Sequence, residues 1–177
     1  MRIGRMIAGG VIGGLAMGLY SLAAWLVLPH NAAFFQPIPV SPQLQRLFFE
    51  HAPDLRDGMW TFGDAGSTDP GGLIVLFLSG MPSPAWNILG GTLVFVLTGL
   101  AVSWIYAVTA SVWAPAPKKG LLFVLLLGAV AALPAQFRLA MVVGQPIPFS
   151  LAMAADTLIE FFLLGVVLVL VHRERPA

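Results

Sequence analysis

Arg138, Asp156 and Glu160 stand inside stretches of sequence that are otherwise soluble in lipid. A charge at membrane depth costs roughly 2.5–3.5 kcal/mol on insertion scales, so such residues usually face protein or a water-filled cavity. Asp156 and Glu160 are one helical turn apart and therefore share a face. Arg138 and Asp156 each lie nine residues from Ile147, the expected centre of a hairpin, and at 1.5 Å of rise per residue they should sit at about the same depth. An Arg138–Asp156 ion pair is the expected structural role of this intramembrane charge cluster. The same residues would serve a proton or ion relay, since carboxylates near the midplane mark such paths. Contact with another subunit or a lipid head group is the third use. Two ionised acids one turn apart repel, so Glu160 is expected either to be protonated or to have a partner outside this chain.

Other chemistries find little support. The chain has no cysteine, which excludes disulfides, thiolate metal sites, iron–sulfur clusters and cysteine nucleophiles. His30, His51 and His172 offer no pair within a span to hold a haem, and no two share helical spacing for a metal. The seven methionines are scattered and read as packing. No Walker A loop, G-x-S-x-G or H-E-x-x-H is present. No cofactor, metal or catalytic residue is therefore expected. A membrane-embedded lipid enzyme using Asp156 or Glu160 as acid–base, with His51 as a helper, is the one catalytic alternative.

These residues must be positioned by membrane helices. The 177 residues are 58% hydrophobic and 10% charged, far below the roughly 25% charged residues of a soluble domain. Four windows are long enough to cross a hydrocarbon core, which needs about 20 helical residues. They cover about 6–28, 86–112, 120–143 and 150–171. The expected fold is an all-α membrane protein: one four-transmembrane-helix bundle over residues 1–177, with a partly structured extracytoplasmic insertion between helices 1 and 2. Pro134 should kink the third span locally. Arg2 and Arg5 resemble the start of a signal peptide, but the apolar run after them exceeds 7–15 residues and no A-x-A site follows, so it is expected to remain as a helix. Gly10, Gly14 and Gly18 lie four apart on that helix, flanked by Gly9 and Gly13. Such spacing makes a flat face for close helix approach, within the chain or with another subunit.

Basic residues orient the spans. Arg2, Arg5, Lys118, Lys119, Arg173 and Arg175, six of the nine Lys/Arg, fall on one side if all four spans cross. By the positive-inside rule that side is the cytoplasm, and both termini lie there. Clustering at membrane ends is the mark of orientation, not of nucleic-acid binding. The expected setting is a bacterial inner membrane, with the bilayer and other integral subunits as partners. Trp25, Trp86 and Trp113 fall at the interfaces, as aromatic belts do. The outer segment 29–85 carries Arg46 and Arg56 against five acids. Its 57 residues are too many for a simple connection. Ser41-Pro42 reads as a helix start before an amphipathic Gln43–Ala52, Asp54–Pro70 as loop, and Leu73–Leu78 as a short buried or interfacial stretch. The hexapeptide Gln36-Pro37-Ile38-Pro39-Val40-Ser41 matches Gln145-Pro146-Ile147-Pro148-Phe149-Ser150 at five of six positions. This fits either a duplicated hairpin or two similar proline-rich turns. Ser150 would cap the fourth span.

Small size, no cofactor residues, a glycine-faced first helix and an aromatic-rich outer segment point to a non-catalytic accessory or scaffold subunit of a membrane complex. A small transporter or proton-relay protein using Arg138, Asp156 and Glu160 is the alternative. The orientation makes a direct prediction: topology reporters fused at the C-terminus and inserted at Asp64 should give opposite signals. Equal signals would refute the assigned topology.

Overall fold

The computed structural model describes residues 3–27, 50, 58–62, 72–76, 84–109, 112, 116–143 and 146–172. Four long helices account for most of them: α1 (Ile3–Val27), α2 (Pro84–Val108), α3 (Pro117–Val143) and α4 (Ile147–His172). All four are long and apolar enough to cross a membrane, as expected of an integral membrane protein in contact with lipid. Three begin on or next to proline. Pro84 and Pro117 open α2 and α3, and Pro148 is the second residue of α4. Proline suits a first turn, where its missing N–H would have no partner anyway. This corrects one expectation. Ser150 is not the cap of α4 but lies inside its first turn, its amide donating to the Pro146 carbonyl at 3.0 Å.

The described strands form an antiparallel pair in the segment joining α1 to α2. Strand β1 (Gly58–Phe62) pairs with β2 (Gly72–Leu76), with Trp60 opposite Ile74. Part of the expected loop Asp54–Pro70 is thus a strand, and most of the short apolar stretch Leu73–Leu78 is its partner. Runs of β-branched and aromatic residues fit a pleated ribbon, and a strand needs far fewer residues than a span. Apart from Glu50, which is helical, the expected helix Gln43–Ala52 and its Ser41-Pro42 start lie outside the described residues.

The helices pack in the order α2–α1–α4–α3, with α1 held between α2 and α4 and with α3 against α4. Neighbours run antiparallel. Gly10 of α1 meets Leu100 of α2 and Gly14 meets Phe95 and Val96, while Gly9 meets Leu168 of α4 and Gly13 meets Leu164. One end of the array therefore gathers Arg5, Lys118, Lys119 and His172, and is called the basic end below. The opposite end is the far end.

Glycine sets the closeness of the α1–α2 contact. A Cβ on Gly10 would lie 2.7 Å from the Leu100 Cα, and one on Gly14 2.6 Å from the Val96 Cα. A Cβ on Gly99 would strike the Gly10 carbonyl and the Gly14 backbone. Side chains can yield, but backbone cannot, so these three positions admit only glycine at this separation. Gly18 is looser and touches only the Phe95 ring. Ser103, fully buried, donates to the Met6 carbonyl at 2.8 Å and ties the same two helices near the basic end. The glycine-lined α1 thus spends both of its narrow faces inside the chain: Gly10 and Gly14 on α2, Gly9 and Gly13 on leucine side chains of α4.

The core lies toward the basic end. Met17, Val102, Tyr106, Val124, Phe161, Leu164 and Leu168 form one buried cluster. Gly128 receives Phe161 and Gly165 receives Leu121 and Val124, which brings α3 close to α4. Helices α2 and α3 meet only marginally, where Tyr106 lies over Gly120. Toward the far end both are largely uncovered, and among the described residues nothing lies within 4 Å of a Cβ on Gly90 or Gly91.

Two glycine classes follow. Gly14→Ala should cost about 1–3 kcal/mol, the usual penalty of overpacking a tight contact. Gly90→Ala should be neutral or stabilising by up to about 1 kcal/mol, since it fills open space and removes backbone freedom within a helix. Unfolding of the purified variants in mild detergent would measure both, and equal losses at the two positions would contradict this packing.

Candidate functional site

Asp156 and Glu160 face α1, not α3. The Tyr20 hydroxyl donates to Asp156 Oδ1 at 3.0 Å, and a side-chain hydrogen bond joins Ser21 to Glu160. Consecutive residues of α1 thus serve acids one turn apart on α4. Helix geometry explains how. Side chains tilt toward their helix N-terminus, so Glu160 leans toward the far end while Tyr20, on an antiparallel helix, leans the opposite way. Glu160 is 8% exposed and stands at the middle of α4. Thr157, next to Asp156, bonds its own helix through the Met153 carbonyl at 3.0 Å.

Arg138 is not part of this group. Its side chain is exposed on α3. The depth match with Asp156 assumed a hairpin centred on Ile147, but that residue is already the first of α4. With α3 ending at Val143, the connection centres two residues earlier. Arg138 is then seven residues out and Asp156 eleven, a depth difference of about 6 Å. A long, flexible arginine near a helix end can snorkel toward the interface, which removes the need for a buried partner within the chain.

A second polar group lies at the basic end. The His172 ring packs on Tyr106 with centroids 5.4 Å apart and planes tilted by 51°, within electrostatic range of Arg5. Its Nε2 is buried and has no hydrogen-bond partner among the described residues. Between this pair and Glu160 lie Phe161, Leu164 and Leu168 of α4, together with Val124 of α3. Leu164, Leu168 and Val124 are fully buried, and Phe161 is nearly so. This layer separates the two polar groups.

The carboxyl pair can therefore hold protons and accept hydroxyl hydrogen bonds, and it fastens α1 to α4. Among the described residues no group of three or more His, Cys, Asp or Glu is placed to hold a metal ion. His30 and His51 lie outside the described residues. Tyr20, Ser21 and Ser103 were not anticipated as contributors. Their signal was present, since each is a hydrogen-bonding side chain within an otherwise apolar span. No protein-family model matches the chain, and no curated protein or solved structure matches it significantly.

Double-mutant cycles on detergent-solubilised protein should separate the contacts. Tyr20→Phe and Asp156→Asn should couple by about 0.6 kcal/mol, with 1.7 as the upper end for such bonds in membranes. Arg138→Leu and Asp156→Leu should add to within about 0.5 kcal/mol, as distant sites do. Strong coupling of the second pair would restore the ion pair expected from spacing alone.

Proposed function

We propose that this chain is a non-catalytic accessory or scaffold subunit of a multi-subunit complex in a bacterial inner membrane, with its basic end cytoplasmic. One observation carries the reading. The acids at mid-span are bonded to hydroxyls of a neighbouring helix, and the hydrophobic layer of Phe161, Leu164, Leu168 and Val124 lies between them and the basic end. A relay needs polar groups or water on both sides of its central carboxylate, whereas a helix clasp needs only its partner. The arrangement suits a clasp. Exposure of both α2 and α3 toward the far end adds surface that another membrane subunit would cover.

The second reading is a proton-relay or small transport protein using Asp156 and Glu160. It draws on the burial of Glu160 at the middle of its span, a costly placement for a residue with no ionisable role.

Extraction in mild detergent, followed by size analysis and mass spectrometry, should find the native chain in a heteromeric complex. The purified chain alone in sealed vesicles should carry no proton current, and Glu160→Gln should leave complex assembly intact. A native monomer whose proton flux is abolished by Glu160→Gln would overturn the accessory reading in favour of the relay.

A further inference from the structure

We infer that His172 is a proton-operated latch at the basic end: the neutral ring keeps Tyr106 seated over Gly120 and so closes α2 on α3, and protonation turns the ring out and parts the two helices there. The inference goes beyond the accessory-subunit reading and does not depend on it. His172 is the last residue of α4, and its ring packs on Tyr106 with 5.4 Å between centroids. Tyr106 is itself buried, and its hydroxyl end occupies the space that a side chain at residue 120 would need. This is where α2 reaches α3, for the two helices otherwise share little contact among the described residues. One tyrosine therefore makes the seam, and one histidine ring backs the tyrosine.

A neutral imidazole can sit here. With its hydrogen on Nδ1 it leaves only a lone pair on Nε2, which is buried and has no hydrogen-bond partner among the described residues. A proton makes that nitrogen a donor without an acceptor and puts charge on an atom shut from water. The surrounding groups add repulsion. Helix α1 brings Arg5 within electrostatic range, α3 opens with Lys118 and Lys119, and α2 offers only the Tyr106 phenol. On α4 itself the nearest acid is Glu160, twelve residues or about 18 Å away. Arg173, Glu174 and Arg175 follow His172 and lie outside the described residues. The cation regains water by leaving the Tyr106 face, which its place at the end of the helix permits. Tyr106 then loses its backing. The glycine contacts of α1 with α2, and those of α3 with α4, are made elsewhere, so the movement is confined to the α2–α3 seam.

The test measures the seam directly. The chain has no native cysteine, so Val108→Cys and Leu122→Cys, at exposed sites on α2 and α3, can be spin-labelled without further change. Distances between the labels are read on the full chain in phosphatidylcholine nanodiscs from about pH 8 to about pH 5, across the ordinary histidine range. A single short distance is expected at the upper end, with a longer one growing as the pH falls. The open-to-closed ratio should rise by up to about tenfold per pH unit, the slope of a single proton. His172→Phe keeps a ring on Tyr106 without a site for the proton, and should hold the short distance throughout. Glu160→Gln and Glu174→Gln should leave the titration in place. A distance that ignores pH in the chain with His172 overturns the inference. So does a titration that survives His172→Phe or vanishes in either glutamine variant. Histidine-ring NMR on the unsubstituted chain needs no variant to fold: one of the three histidines must gain its proton at the midpoint of the distance change. No histidine titrating there overturns the inference equally.

Discussion

The closeness of α1 to its neighbours governs this structure. In lipid no hydrophobic force drives apolar helices together, so packing contact and interhelical hydrogen bonds must do so. Contact of that kind grows as backbones approach, and α1 is built for approach on two sides. Gly10 and Gly14 admit the backbone of α2, and Gly9 and Gly13 admit leucine side chains of α4. Because α1 is thin, α2 and α4 are both held to one helix, and α3 is reached through α4. On the same helix, Tyr20 and Ser21 meet Asp156 and Glu160 of α4.

The packing is uneven along the helix axes. Near the basic end, leucine, valine, phenylalanine and tyrosine side chains fill the space between the helices, and Ser103 adds a bond to the Met6 carbonyl. Near the far end, α2 and α3 share no such filling among the described residues. The polar clasp lies between these regions. Glu160 therefore has an apolar core on one side and a more loosely packed half on the other.

Much of the fold was legible in the sequence, for a physical reason. A bilayer demands about 20 apolar residues per span, which leaves the four helices written in composition alone. The glycine spacing was equally plain, but its partner was not. All faces of a span in lipid are apolar, so patterning that reports the buried side of a soluble helix is silent here. The charge cluster was read around a hairpin centre two residues too late, whereas Asp156 and Glu160 face α1 and Arg138 is exposed on α3. The proline-rich connection looked like a turn centred on Ile147, yet proline is at home in a first helical turn, and α4 had already begun. Arg138 was thereby placed too deep. Tyr20 and Ser21 went unnoticed because a hydroxyl within a glycine-rich span reads as a minor polarity until the opposing helix is known.

The clasp also bears on the order in which the chain is made. Synthesis runs from the N-terminus, so α1 is in the membrane before α4 emerges. The last helix carries both acids, the least favourable residues to release into lipid. It meets hydroxyls already in place at the matching depth, on a helix whose narrow glycine face leaves room for it. Helix α1 thus acts as a receiving template for the more polar α4.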